Sequence, residues 1–378
     1  METTLLWESS AEEYLKDAII FGQPAWVYTK ALMEAVNGRY YEVQREDYQI
    51  LSLVRENRSF SAADQNMPKR PVLYFAGHYP SLPKEYLLEF INQAQQVGLA
   101  ILHSPSAKWA GEKEIICIFY QPGVTGSLEK TLAFPVLRLN HQTQIFEIEH
   151  QLCRNRNLQL IRQGVQILDI DSTWIDDQAE VAAGSIIYPV TQILGASRIG
   201  TDCQIGPNCR IKDTVIGRNN LISQSQIEDS MIADACNIGP FSYIRPNSDI
   251  GSRVRIGDFV EIKNSRIGDD TMISHLTYVG DADVGKNVNF GCGTILVNFD
   301  GITKHRSKIE DYAFIGCNSN LVSPVYIGKG AFIAAGSTIT QDLPADSLGI
   351  ARVRQQIKEN WVTKRKQLLK EAKTNEQS

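Results

Sequence analysis

No apolar run in this sequence approaches the roughly 18 residues that a membrane-crossing helix needs, so a helical span is not expected. Charge of one sign is also missing. Lys and Arg total 38 against 43 for Asp and Glu, a net −5, which points away from nucleic acid and anionic membrane surfaces as partners. Residues 1–9 lack the basic-then-apolar order of a signal peptide, so a cytoplasmic protein is expected. Cysteine is sparse and scattered: Cys117, Cys153, Cys203, Cys209, Cys236, Cys292 and Cys317 form no C-x-x-C pair. That argues against a disulfide framework and against a bound metal. Most of these thiols are expected as small inward-facing side chains. What remains is an ordinary globular composition, 43% hydrophobic and 21% charged over 378 residues, enough for two domains.

Two regions follow different patterns. Residues 1–145 read as α/β. PVLYFAG (71–77) is a short apolar run ending in glycine, and PKEYLLEFINQAQQ (83–96) carries apolar residues at helical spacing. Residues 99–103 and 114–120 read as further strands, and this alternation predicts a parallel sheet. A linker helix is predicted over 146–164, its clearest periodic stretch starting at Ile148 and Gly164 supplying the C-cap.

Over 165–345 an aliphatic residue returns every five or six positions, often followed by glycine. The series runs from Ile199 through Ile205, Ile211 and onward to Phe290 and Ile295. It resumes at Ile309, Ile315, Leu321, Ile327, Ile333 and Ile339. This is the pattern of a hexapeptide β-helix, in which each short strand sends one side chain inward before a corner. Residues 296–308 (LVNFDGITKHRSK) are too long for a corner and read as a loop thrown out from the prism. Residues 346–378 form a basic, helix-prone arm. Composition favours a solvated cap on the solenoid over an arm that attracts a phosphate ligand.

Coil counting places chemistry. Arg245 and Lys263 follow inward residues three steps of six apart, so they should stack on adjacent coils, where like charges repel unless an anion joins them. The next coil has a five-residue step, which sets Gly280 rather than Asp281 beside Lys263. His275 is the one histidine within the continuous coils, with Tyr278 near it. Imidazole suits a general base at neutral pH, although an ordinary exposed histidine would look the same. Asp258, His275 and Cys292 fall in one column. Repeat register explains this more simply than a Cys-His-Asp triad does, with Cys292 filling a small inward site.

At GPFSYIRP (239–246), GDFVEIK (257–263), HLTYVGD (275–281), NVNFGCGT (287–294), NFDG (298–301), FIAAGST (332–338) and GIAR (349–352) the chain resembles the acetyltransferase half of the bifunctional GlmU family. The resemblance covers roughly residues 145–365. It implies a left-handed parallel β-helix after a nucleotidyltransferase-like α/β domain, with a short C-terminal helix. It also implies acetyl transfer from acetyl-CoA to glucosamine 1-phosphate, without a metal, in the synthesis of UDP-N-acetylglucosamine. By resemblance, His275 is the general base and Glu261 helps to orient that site. Arg245, Lys263, Tyr278, Asn289 and Lys304 hold the sugar phosphate, and Cys292, Asn298, Phe299, Cys317, Ala335 and Arg352 line the acetyl-CoA site. A homotrimer with sites between prisms is implied as well. Three positions depart from the family: Cys317 stands for serine, Cys292 for alanine and Phe299 for tyrosine. The N-terminal part departs further. Gly77-His78 stands where the family has a Gly-Asp whose carboxylate holds Mg²⁺, and residues 1–21 contain no glycine for a phosphate loop. A degenerate domain without uridylyl transfer is therefore expected. Two other readings fit the same pattern: an acetyltransferase for another, nucleotide-linked amino sugar, and a non-catalytic trimeric scaffold that binds sugar nucleotides.

Overall fold

A computed structural model describes residues 143–375 continuously, and before them 4–8, 19–20, 23–24, 39–43, 72–75, 82, 84–97, 99–105, 113–120 and 126–132. The chain divides into two compact units, Met1–Ile238 and Gly239–Ser378. No helix among the described residues is long and apolar enough to cross a membrane.

In the first unit six strands form one sheet, in the order Arg39–Val43, Thr4–Glu8, Val72–Phe75, Lys113–Tyr120, Leu99–Pro105, Ser127–Thr131. The expected parallel sheet forms only in part. Lys113–Tyr120 runs antiparallel to both neighbours, while the other pairs are parallel. Only residues 106–112 join Leu99–Pro105 to Lys113–Tyr120, and a crossover back to a parallel strand takes about a dozen residues or more. Helix Lys84–Ala94 buries Leu87, Phe90, Ile91 and Ala94, one apolar stripe, against Ala100, Leu102, Cys117 and Phe119. Gly77 and His78 lie outside the described residues.

The linker helix runs Thr143–Arg162, beginning three residues before the predicted 146–164. Gly164 ends it at φ 96°, and the Val165 N–H reaches back to the Leu160 carbonyl at 3.1 Å. Asn157 is fully buried and ties the helix to the first coils, donating to the carbonyls of Ile170 (3.0 Å) and Thr173 (2.8 Å). From Gln166 the first unit continues as parallel coils, Gln192 opposite Arg210 and Arg210 opposite Gln226, with Ile193, Ile211 and Ile227 buried inside.

The second unit is coiled in the same way, the coils winding as a left-handed parallel β-helix with a helix, Trp361–Asn375, after them. Its inward residues include Ile244, Ile256, Ile262, Ile273, Val279, Phe290, Ile315, Leu321 and Ile333, all buried. Each contributes about 1.5–3 kcal/mol of apolar burial. The inward residue after Phe290 is Leu296, 1% exposed, and not Ile295, which is 44% exposed. Two aliphatic neighbours cannot be told apart by composition; the strand pairing of Leu296 with Leu321 decides between them.

Coils stack so closely that some positions admit no side chain. A Cβ on Gly257 would lie 1.9 Å from the Ser274 carbonyl oxygen and 2.8 Å from its carbon, both backbone atoms of the next coil. Gly257→Ala must therefore push two coils apart. A loss of about 1–3 kcal/mol is expected, read as a lower midpoint in urea or thermal unfolding. An unchanged midpoint would mean that the coils separate freely at this position.

Candidate active site

The site begins at one corner of the prism in the second unit. Strands Arg255–Asp258 and Met272–His275 run parallel, and their last residues, Asp258 and His275, are in register. The residue after each is left-handed, Phe259 at φ 55° and Leu276 at φ 46°, a conformation that bulky side chains seldom adopt. The chain turns there, and both polar side chains stay half exposed at the edge. His275 Nδ1 lies 2.6 Å from Asp258 Oδ1. That hydrogen bond holds the Asp258 carboxyl below the usual carboxylate range. A carboxylate acceptor at Nδ1 favours the tautomer with its proton there, leaving the Nε2 lone pair outward.

The same edge carries further expected residues. Asn289 pairs with Met272, Phe314 with Asn289 and Phe332 with Phe314. Counting on three residues from each places Cys292, Cys317 and Ala335 in the column above His275. Backbone bonds from Asn318 N to Cys292 O and from Gly336 N to Cys317 O, 2.8 Å each, close successive corners. Cys292 thus does not fill an inward site. It is half-buried and Cys317 is exposed, because the inward positions of their coils belong to Phe290 and Ile315. Arg352 is exposed near the same edge, its Cδ 3.7 Å from where a Cβ on Gly336 would sit. Asn289 lies on the same face, three residues before the corner.

Beyond the corner stand the cations. The Arg245 N–H bonds to the Ile262 carbonyl at 2.8 Å, so Arg245 and Lys263 lie on adjoining coils, and Lys263 pairs with Gly280 as the five-residue step predicts. Arg245 is compensated: its Nη1 lies 2.6 Å from Glu261 Oε1, and its guanidinium sits 5.8 Å from the Tyr243 ring centre. Glu261 therefore faces Arg245, whereas Asp258 holds His275. Lys263 meets Lys304 instead. Contact with Lys304, then partial desolvation, lowers the Lys263 pKa, and Arg245 adds to the effect. A lysine pushed down by neighbouring cations marks a place where an anion would relieve the repulsion.

Gly280 also has a steric role. A Cβ there would lie 2.3 Å from the Tyr278 hydroxyl and 2.7 Å from Asn298 Nδ2. Its absence lets Asn298, only 7% exposed, approach Tyr278 Oη (3.3 Å) and donate to Asp281 Oδ2 (2.6 Å). Asn264 donates to the other Asp281 oxygen at 2.5 Å. Asp281 is thus the anchor of this corner. The sequence signal for it was the shortened step, which puts it at a left-handed position, φ 51°.

The loop expected over 296–308 is shorter than that, since strand Ile295–Val297 runs into it and Ser307–Ile309 leaves it. It is held at several points. Phe299 and Lys304 form an antiparallel bridge, and the His305 N–H bonds to the Asn298 carbonyl at 2.8 Å. Asp300 accepts from the N–H groups of Ile302 and Thr303 (2.7 Å each) and lies 2.6 Å from His305 Nε2. Its carboxyl is held far below the usual range, by His305 first and then by those two backbone donors. Arg306 donates to Asp283 (2.7 Å) and to the Asn264 carbonyl (2.8 Å). Phe299 stays half exposed at the tip. Among the described residues no cluster of His, Cys, Asp and Glu is arranged to hold a metal ion.

Known proteins resemble this sequence. The pattern described as bacterial transferase hexapeptide (six repeats) matches residues 229–264 and 306–341. The bifunctional protein GlmU of Caldicellulosiruptor saccharolyticus is 53% identical over 235 residues, 62% of this chain and 51% of that protein. The bifunctional protein GlmU of Acetivibrio thermocellus is 38% identical over 377 residues, 96% of this chain and 81% of that protein. Against the first of these and its counterpart in Halalkalibacterium halodurans, the chain spans about half the relative's length, 51% and 52%. Among solved structures, an Arabidopsis UDP-N-acetylglucosamine acyltransferase matches 50% of this chain and 66% of its own at 19% identity, with a TM-score of 0.35.

Proposed function

The chain belongs to the GlmU family, and from that premise we propose that its β-helix moves an acetyl group from acetyl-CoA to the amine of glucosamine 1-phosphate. The observation that carries this reading is the Asp258–His275 pair, 2.6 Å apart, one corner of the chain before strand Glu261–Lys263, where Lys263 meets Lys304 and borders Arg245. The cations take the phosphate and so hold the sugar. His275 Nε2 accepts a proton from the attacking amine as nitrogen bonds to the thioester carbon. Asp258 stays ionised and stabilises the imidazolium so formed, which returns its proton to the leaving thiolate. The products are the N-acetylated sugar phosphate and free coenzyme A. The corner column of Cys292, Cys317 and Ala335 offers a long edge for the donor, with Asn298, Phe299 and Arg352 beside it.

The working assembly on this reading is a homotrimer in the cytoplasm, in which the loop around Asn298 and the basic tail reach a neighbour. An apolar ridge next to the catalytic pair supports burial by a second copy. Phe241 and Phe259 stack at 5.4 Å and 15°, and both are more than half exposed, as is Leu276. The test is thiol release from acetyl-CoA with glucosamine 1-phosphate, run beside a UDP-linked amino sugar. Faster release with the free sugar phosphate, lost in His275→Ala, is expected. Wild type and His275→Ala equally inactive across all amino-sugar phosphates would reject the reading.

A further inference from the structure

We propose that Cys292 and Cys317 are a vicinal dithiol that closes to a disulfide between two successive coils, and that closure shuts the acyl-donor edge of the site. The second half rests on the reading of the corner column as the donor site; the first does not. The two residues occupy one register position on adjacent coils, set by the pairing of Asn289 with Phe314 and Phe290 with Ile315. Strands stacked in this way lie about 4.8 Å apart. That falls inside the window of roughly 4.4–6.8 Å between Cα atoms that a disulfide spans. The residues that follow them, Gly293 at φ 76° and Asn318 at φ 52°, share the left-handed corner, so both Cα–Cβ bonds leave the edge in a similar direction. Glycine precedes each cysteine, Gly291 and Gly316, and keeps the preceding position clear of side chains.

Access separates this pair from the rest. Cys117, Cys153, Cys203, Cys209 and Cys236 are buried, whereas Cys292 is half-buried and Cys317 exposed. Burial also pushes the thiols of Cys117, Cys153, Cys203 and Cys209 up, away from the reactive thiolate. Cys292 and Cys317 stand where the family resemblance expects alanine and serine, a combination that cannot close in this way.

The oxidant is a low-molecular-weight disulfide. The Cys317 thiolate attacks one of its sulfurs, forming a mixed disulfide and expelling one thiolate. Cys292, deprotonated, then attacks the Cys317 sulfur and expels the second. The protein dithiol is oxidised, the small disulfide is reduced to two thiols, and excess thiol runs the sequence backwards.

The experiment treats the reduced full chain with oxidised glutathione. It follows native thiol reactivity, peptide masses and acetyl transfer to glucosamine 1-phosphate together. Two fast-reacting thiols should vanish in step, a Cys292–Cys317 linked peptide should appear lighter by two hydrogens, and transfer should fall to background and recover with dithiothreitol. In Cys317→Ser and in Cys292→Ala the linked peptide should be absent, replaced by a glutathione adduct on the remaining thiol. Stable glutathione adducts on both cysteines of the wild type would overturn the dithiol. A linked peptide with unchanged transfer would instead overturn the placement of the donor on this edge.

Discussion

His275→Ala is expected to lower kcat by about 10²- to 10⁴-fold while leaving the KM for glucosamine 1-phosphate nearly unchanged. The imidazole is proposed to take a proton only as the carbon–nitrogen bond forms, so its loss falls on the transition state and not on ground-state binding. Asp258→Asn should cost less, on the order of 10- to 100-fold, because the ring remains but loses its carboxylate acceptor at Nδ1. The double variant should be no slower than His275→Ala alone, since on this reading Asp258 acts only through the ring. The pH profile separates positioning from mere structure. Asp258 has its pKa lowered by the bond to His275, so it keeps its charge throughout the range in which an imidazole titrates. A depressed carboxyl contributes stability above its unfolded value, near 4, and that contribution is lost as pH falls through the folded value. The wild-type acid limb of kcat/KM should therefore shift in Asp258→Asn, while folding at neutral pH loses only the small, solvent-screened contribution of this exposed pair. Steady-state rates with a thiol reporter across pH give the answer. Identical profiles and rates for wild type and Asp258→Asn would remove Asp258 from the mechanism.

Lys263→Ala and Lys304→Ala are expected to raise the KM for glucosamine 1-phosphate by on the order of 10- to 100-fold, with kcat changed less. Each would remove a charge-assisted bond that the proposed function assigns to the phosphate. Their effect on the empty protein should be opposite to that of most truncations. Lys263 is held below its usual range by contact with Lys304, which means that protonation there opposes folding. Stability contributed by this group should rise with pH from the folded value towards the unfolded one near 10.4. Taking away either ammonium relieves the repulsion, so the ligand-free midpoint should hold or rise while the shift produced by glucosamine 1-phosphate shrinks. Thermal unfolding with and without the sugar phosphate measures both. A large fall in the ligand-free midpoint together with an unchanged KM would show these lysines to be structural.

Much of this site was legible as spacing. The aliphatic ladder located the coils, the three six-residue steps put Arg245 beside Lys263, and the five-residue step put Gly280 opposite Lys263. What spacing left open were questions of direction and distance. Asp258 and His275 shared a column on paper, but column membership is common to every coil, and only the 2.6 Å approach distinguishes this pair. Glu261 and Asp258 are both carboxylates near His275 in sequence. The corner at Phe259 puts them on different faces, Asp258 before it beside the imidazole and Glu261 after it beside Arg245. Lys304 was reached through family likeness alone, because its approach to Lys263 depends on how the loop is tied at Asp300 and Arg306.

By itself the sequence determined the repeat. A short period with one obligatory apolar position leaves little freedom in how the chain winds, so the β-helix and the order of its coils follow from local pattern. Only the tertiary structure decided which of two adjacent aliphatics turns inward at Ile295–Leu296, that Lys113–Tyr120 runs antiparallel, and that two thiols share an open edge. These depend on contacts between residues far apart in the chain, whose energies no local periodicity encodes.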